Sequence, residues 1–210
     1  NIVVILLDAT GMDIIEHNLP QDSFFRRHLI CDYSSTFPPT TVAATTAIRS
    51  AQNPNQNGWL GWEGYFPEGD KNVIYFFNED PQGNKAADYN VADRYCPFET
   101  VFEQLRKHGV QAYEATPYQP PNPQTYEEIC QYVSTLCRQP GRKYIYAYWS
   151  EPDTTMHKLG CYCRQSVEIL QAVEERTRQL CQELEDTLVI VTADHGHMDT
   201  QGVVITDYPD

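Results

Sequence analysis

The sequence predicts an α/β fold, a mostly parallel sheet with helices on both faces, and three observations predict it. Short apolar runs rich in β-branched or aromatic residues recur at Ile2 to Leu7, Val110 to Ala115, Lys143 to Trp149 and Thr187 to Val191. Runs of that kind suit strands covered on both faces. Segments with helical spacing alternate with them: Val101-Phe102-Leu105, Tyr126-Ile129-Val133-Leu136 and Val167-Leu170-Val173-Leu180-Leu184. That alternation is the pattern of a parallel sheet. Three of the strand ends carry acidic residues, Asp8, Asp153 and Asp194, and open α/β sheets bind their ligands at the carboxyl ends of strands.

Each element has a local reason. The first run closes on Asp8 with Ala9-Thr10-Gly11 as a turn; capping a helix or turn is the ordinary duty of an aspartate there. Residues 12–28 hold short helices broken at Pro20, and Ile30 to Thr36 is read as a second strand. Phe37-Pro38-Pro39 ends it, because proline fixes its own φ and restricts the residue before it. The stretch from Thr40 to Arg49 then reads as a helix whose small residues allow close packing on the sheet. Its threonine-bearing start presents free N–H groups and the positive end of the dipole, which serves as a cap and as an anion site. Residues 52–97 are irregular, rich in Asn, Gln, Pro and Gly at 52–58 and then crowded with aromatics from Trp59 to Tyr95, with a strand at Val73 to Phe77. Aromatics on a long connection suit a wall around a substrate as well as packing under the loop.

From Phe98 the rhythm resumes. The helix through Phe102 stops at Gly109, and the four prolines of 116–123 make a loop. The long helix over 167–184 has a charged outer face. Thr187 to Val191 is read as the central, buried strand, delivering Asp194-His195.

The bulk numbers bound the function. The 210 residues suffice for one domain, 1–210, interrupted by the irregular insertion at 52–97. The chain starts Asn1-Ile2-Val3 and stops soon after a new apolar run, so it is expected to be a piece of a longer protein. A net charge of -14 without a Lys/Arg cluster argues against a nucleic-acid partner. No stretch approaches the roughly 18 apolar residues of a membrane span. Seven cysteines without a framework spacing, including C-x-C at Cys161-Tyr162-Cys163, read as reduced thiols of a cytoplasmic protein.

One Asp-His neighbour pair in a loop is commonly without function. Here Asp8, then Asp153 with His157, then Asp194 with His195 stand at equivalent strand ends. Asp153 and His157 are spaced i,i+4, so on a helical turn they point the same way. Carboxylate oxygen with imidazole nitrogen suits Zn²⁺ or Mn²⁺ better than Ca²⁺ or Mg²⁺. Jointly the pairs indicate a two-metal site.

Several stretches in order carry a family resemblance: Leu6-Leu7-Asp8, Phe37-Pro38-Pro39-Thr40-Thr41, Ser50-Ala51-Gln52-Asn53-Pro54 with Gly58, Glu151-Pro152-Asp153 with His157, and Asp194-His195-Gly196. Together they resemble the nucleotide pyrophosphatase/phosphodiesterase family of the alkaline phosphatase superfamily. The resemblance implies an alkaline-phosphatase-like core whose C-terminal part lies outside this chain. It implies two zinc ions, with Mn²⁺ as the alternative. Asp153 and His157 would hold one, and Asp8, Asp194 and His195 the other. Thr41 would touch the second ion and act as nucleophile, forming a phosphothreonine intermediate. Counting back from Ser50-Ala51 selects Thr41; a slip of one residue would transfer the role to Thr40. The substrate class implied is a small phosphoester or nucleotide.

The sequence departs from the family's pattern at two places. The first metal's late histidine belongs to a segment the chain does not contain, and the nearby His197 is read as a solvent residue or as a neighbour of the ligands. The position three after the nucleophile, where the family often has Asn, is Ala44. A sulfatase is disfavoured, because Cys96-Pro97-Phe98 does not fit C-x-P-x-R. The alternatives are a phosphomonoesterase or phosphonate hydrolase on the same core, a catalytically silent binding domain, and a structural α/β module with coincidental Asp/His pairs.

Overall fold

The computed structural model describes residues 1–202. In chain order the elements are β1 (Ile2–Leu7), α1 (Met12–Asn18), α2 (Phe24–Arg27), α3 (Thr41–Ser50), α4 (Pro54–Asn57), β2 (Glu63–Phe66) and β3 (Lys71–Ile74). There follow α5 (Val91–Tyr95), α6 (Val101–Lys107), β4 (Gln111–Ala115), α7 (Tyr126–Cys137), β5 (Lys143–Trp149), α8 (Asp153–Leu159), α9 (Arg164–Glu183) and β6 (Leu188–Thr192). Among the described residues the main sheet runs β4-β5-β1-β6, and every pair in it is parallel. The connections explain this. A helix bridges β4 to β5 and two bridge β5 to β6, the crossovers that parallel neighbours require.

Strand periodicity sorts β1 onto two cores. Val3, Ile5 and Leu7 pack with Ile14, Ile129, Val133, Leu170 and Leu180, under α1, α7 and α9. Leu6, with Val4 beside it, packs on the other side against Phe102, Tyr146 and Tyr148, with Ile48 and Leu105 from α3 and α6. Successive side chains of a strand point to opposite faces, so an unbroken apolar run needs cover on both. β1 has that cover. The sequence-predicted α/β architecture is what the chain forms.

Three expectations need correction. Residues 29–40 form no helix or strand, and Ile30 is 96% exposed. β-prone residues do not make a strand without a partner for their backbone groups. This stretch meets the end of β6 through side chains instead: Tyr33 Oη donates to the Ala193 carbonyl at 3.1 Å and Ser35 Oγ to that of Asp194 at 2.5 Å. Second, β6 is parallel as expected but lies at the edge of the described sheet, with Leu188 57% and Ile190 43% exposed. An apolar run reports on both faces of a strand but not on its place in the sheet. Third, the strand expected at Val73 to Phe77 is Lys71–Ile74, paired antiparallel with β2. The chain reverses at Asn78, whose φ is 53°, and bridges Ile74 to Glu79 across the turn.

Residues within 52–97 build an apolar cluster of their own from Trp59, Phe66, Val73, Tyr75 and Val91, to which α3 contributes Val42. Trp59 stacks on Tyr75 with ring centroids 5.1 Å apart. Trp62 and Phe77 stay exposed on the same hairpin region. All seven cysteines are free thiols. Among the described residues no helix is long and apolar enough to cross a membrane.

Lys143 opens β5 fully buried, and its ammonium donates to the carbonyls of Gln139, Pro140 and Gly141. It thereby ties the end of α7 to the start of the strand. Lys143→Met keeps the aliphatic stem and leaves those oxygens without their donor. The expected cost is about 1–3 kcal/mol, a fall in Tm of several degrees by thermal denaturation; an unchanged Tm would deny the ammonium this role.

Candidate active site

Strand register brings the candidate residues level. Leu7 pairs with Trp149 and Leu6 with Thr192, so the carboxyl ends of β5, β1 and β6 lie side by side. Asp8 follows β1 directly, Asp194 lies just past β6, and Asp153 is the first residue of α8 just past β5. Asp8 and Asp194 are 2% and 3% exposed. The start of α3 joins them. Its amides at 41–43 have no carbonyl one turn back to bond, as at any helix start, and the Thr40 side chain makes no capping bond.

Asp194 is held by the backbone. Its Oδ1 accepts the N–H of Ala9 at 3.1 Å and that of His195 at 2.9 Å. Ala9 reaches this position with a φ of 54°, the left-handed region. The other oxygen, Oδ2, is buried and has no hydrogen-bond partner among the described residues. Such a lone pair calls for an occupant.

His195 sits at the centre. Its Nε2 is 3.1 Å from Thr41 Oγ1, 3.3 Å from Asp8 Oδ1 and 3.7 Å from Asp194 Oδ2. Thr41 Oγ1 is in turn 3.5 Å from Asp8 Oδ1. His195 Nδ1 is 2.7 Å from the carbonyl of Gly196, which assigns it the proton. The lone pair of Nε2 then faces carboxylate oxygens, an arrangement that needs a second proton or a cation between them. Ligand atoms on a tetrahedral zinc, each about 2.0–2.1 Å from it, lie about 3.3 Å from one another. The spacings within this group bracket that value.

A second group adjoins the first. Asp153 Oδ1 is 3.5 Å from His157 Nε2 and 3.2 Å from His197 Nδ1. The two imidazoles meet edge to face with centroids 4.5 Å apart. Among the described residues two triads have ligand atoms that all lie within 4.8 Å of one another: Asp153, His157 and His197, and Asp8, Asp153 and His195.

Electrostatics agree with a cation here. Burial pushes the Asp8 carboxyl up to about 9, the charge of Asp194 adds to this, and the hydroxyl that Tyr148 donates to Asp8 Oδ2 only partly opposes it. Burial likewise raises Asp194, against the pull of His195 and of the backbone N–H groups. Two buried carboxylates this close cannot both carry charge unless something positive lies between them. The donor set therefore fits divalent ions: Asp8, Asp194 and His195 beside Thr41 for one, Asp153 and His157 for its neighbour. Carboxylate oxygen with imidazole nitrogen is the chemistry of Zn²⁺ or Mn²⁺.

All six sequence-predicted positions, Asp8, Thr41, Asp153, His157, Asp194 and His195, are thus brought into these two adjoining groups. Thr40 is the N-cap of α3 and its hydroxyl makes no cap bond, whereas the Thr41 hydroxyl faces Asp8 and His195. Ala44 is buried one turn along the same helix and offers no polar group. His197 is no solvent residue: its side chain is 15% exposed and it touches Asp153. Sequence reading missed Tyr148, although its place on the same face of β5 as Tyr146 was a signal.

It also missed a contact between Gly11 and Gly196. A Cβ on Gly11 would fall 2.7 Å from Gly196 Cα and 3.1 Å from its nitrogen. Gly11→Ala must therefore displace the loop that carries His195. We expect it to cost about 1–3 kcal/mol and to weaken metal retention, read by thermal denaturation and metal analysis; wild-type values for both would show that the loop gives way freely.

Comparison with known proteins follows the same lines. Residues 124–209 match the family model described as type I phosphodiesterase / nucleotide pyrophosphatase. The matched stretch contains Asp153, His157, Asp194 and His195. The family resemblance holds. Murine ectonucleotide pyrophosphatase / phosphodiesterase 5 aligns with a TM-score of 0.74 at 13% identity, over 100% of this chain and 61% of that one. A structure of the same murine protein, an inactive threonine-to-alanine variant in complex with AMP, gives a TM-score of 0.76 at 13% identity with the same coverage. At that identity the likeness is one of fold, the alkaline-phosphatase-like α/β core. The chain spans about three-fifths of the length of those structures. No curated protein matches the sequence.

Proposed function

We propose that this chain carries the reaction centre of a metal-dependent phosphoester hydrolase, a phosphodiesterase or nucleotide pyrophosphatase acting through Thr41. The observation that carries the reading is the place of the Thr41 hydroxyl. It sits at the start of α3, 3.1 Å from His195 Nε2 and 3.5 Å from Asp8 Oδ1. Thr41 Oγ1 attacks phosphorus in line with the leaving oxygen and loses its proton as the new P–O bond forms. The leaving group departs with its electron pair, and the phosphothreonine is then cleaved by water. Two divalent ions, zinc on the family's pattern or manganese, would supply the positive charge that stabilises the threonine alkoxide and the entering and leaving oxygens.

The protein's own groups do the rest. The free amides at the start of α3 receive phosphoryl oxygens. The backbone N–H groups of Ala9 and His195 orient Asp194, and the carbonyl of Gly196 holds His195 in the tautomer that turns Nε2 inward. Residues 1–210 act as one catalytic unit, with 52–97 as an insertion whose exposed aromatics stand available to a base or aryl group. The complex of the murine neighbour with AMP supports a nucleotide-type substrate.

A second reading, a phosphomonoesterase, is favoured by Ala44, which offers no polar contact one turn along α3 from Thr41. Initial rates on an aryl phosphate monoester and an aryl phosphate diester, with the zinc-loaded protein, separate the two. A diester preference is the expected result. A monoester preference would make the protein a phosphatase on the same core, and no turnover of either, with metal bound, would overturn the hydrolase reading.

A further inference from the structure

The two buried carboxylates of the site are held in different ways. Asp194 is fixed by the backbone N–H groups of Ala9 and His195. Among the described residues Asp8 receives no such backbone donor, and its Oδ2 takes its hydrogen bond from the hydroxyl of Tyr148. We infer that Tyr148 is the residue that positions Asp8, occupying Oδ2 and leaving Oδ1 as the single oxygen for the ion that Asp8, Asp194 and His195 would hold. The inference rests on the two-metal reading above and concerns a side chain outside the ligand set.

Three observations carry it. The first is the division of the carboxylate. Oδ1 lies 3.3 Å from His195 Nε2 and 3.5 Å from Thr41 Oγ1, while Oδ2 accepts from Tyr148. A carboxylate can bind a cation through one oxygen or both; giving one to a fixed donor leaves the other to bind alone. The second is that this donor is fixed by the sheet. Tyr148 pairs with Leu6 in the parallel register, and the Asp8 N–H carries the ladder one residue beyond β1 to the Trp149 carbonyl at 3.0 Å. Asp8 stands two residues after Leu6 and so shares its face of the strand, the face on which Tyr148 packs with Leu6, Phe102 and Tyr146. The Tyr118 ring lies beside the Tyr148 ring, centroids 6.1 Å apart. The hydroxyl is therefore in place before any ion arrives. The third is a contrast within the same strand. Tyr146, on the same face of β5, is equally buried, yet its hydroxyl has no partner among the described residues. Burial on this face does not by itself engage a phenol; Asp8 engages that of Tyr148.

The test compares Tyr148→Phe with Tyr146→Phe, each of which removes one oxygen from the same face of β5. Zinc affinity is measured by competition with a chromogenic chelator, ligand geometry by the visible spectrum of the cobalt-loaded protein, and folding by far-ultraviolet circular dichroism. Tyr148→Phe is expected to fold, to hold one of its two ions about 10- to 100-fold less tightly and to shift the cobalt bands. Tyr146→Phe is expected to match wild type in all three. In an Asp8→Ala background there is no carboxylate to position, so adding Tyr148→Phe should change zinc affinity by less than about twofold. Wild-type zinc affinity in Tyr148→Phe, an equal loss in Tyr146→Phe, or a loss that persists in the Asp8→Ala background overturns the inference. So does a raised KM for the aryl phosphate diester with metal affinity unchanged, which would make Tyr148 a substrate contact. All of these leave the two-metal reading standing. If neither Asp8→Ala nor Asp194→Asn changes the zinc content, that reading falls and takes the inference with it.

Discussion

Replacing Thr41 with alanine is expected to lower kcat at least about a thousandfold on the better of the two aryl phosphates, with the fold and the metal content retained. The reaction needs an oxygen nucleophile at that place, and alanine has none. The fold loses little. Thr41 is the first residue of α3, and the backbone bonds of this turn, such as Ala44 N–H to the Thr40 carbonyl, do not involve its hydroxyl. The stability cost should be no more than about 1 kcal/mol. Thr40→Ala is the matched control. Its hydroxyl makes no capping bond, so both rate and stability should stay near wild type. Steady-state kinetics on the pair separate the outcomes: activity in Thr41→Ala together with its loss in Thr40→Ala would move the nucleophile by one residue, and full activity in both would remove threonine chemistry altogether.

The second large effect is on Asp8, where function and stability should pull apart. Burial and the neighbouring Asp194 lift the Asp8 carboxyl from its ordinary 3.8 to about 9 in the folded, metal-free protein. A group whose folded pKa is raised contributes its full stability below the unfolded pKa and loses it as pH rises through the folded one. The metal-free protein should therefore weaken steadily between about pH 4 and pH 9, as the unfolded chain ionises Asp8 and the fold resists doing so. Asp194, raised in the same direction, adds to the slope. Asp8→Asn removes the larger part of it. In chelator at pH 8 the variant should melt at least about 4 °C above the parent, more than about 1 kcal/mol in a chain of this size. At pH 5 the gap should narrow. With zinc the order should reverse, because the parent gains a ligand-linked stabilisation that the variant has lost, and turnover of the variant should fall at least about a hundredfold. Melting curves at the two pH values, with and without zinc, test all of this. A parent whose metal-free Tm does not fall with pH would show that Asp8 is no strained carboxylate.

The legible part of this protein was the part written in local chemistry. Strand-type runs with acidic residues behind them, a proline pair before a threonine-led helix, and an aspartate and histidine four apart required only residue type and spacing. From these followed the α/β class and the five positions Asp8, Asp153, His157, Asp194 and His195, while the choice of Thr41 over Thr40 came from the family resemblance; the fold gathers all six into two adjoining groups. The start of α3 was readable because Pro38-Pro39 cannot continue into it, whereas the i,i+4 spacing of Asp153 and His157 was only compatible with the helix α8 that the structure shows.

What the sequence could not determine depends on which segments become neighbours. The stretch from Ile30 to Thr36 has strand-like composition, yet a strand exists only where another offers its backbone groups, and among the described residues none does. The run at Thr187 to Val191 looks fit for the middle of a sheet, yet its order against β1 leaves it at the described edge. His197 reads as a spare until the contact of Gly196 with Gly11 and the bond from Cys161 to Asp199 turn its loop toward Asp153. Tyr148 reaches Asp8 only through the parallel register of β5 with β1. Residue type and periodicity set which groups this chain has for chemistry and on which elements they ride. Long-range pairing, invisible to any window of the sequence, decided which of them share a site.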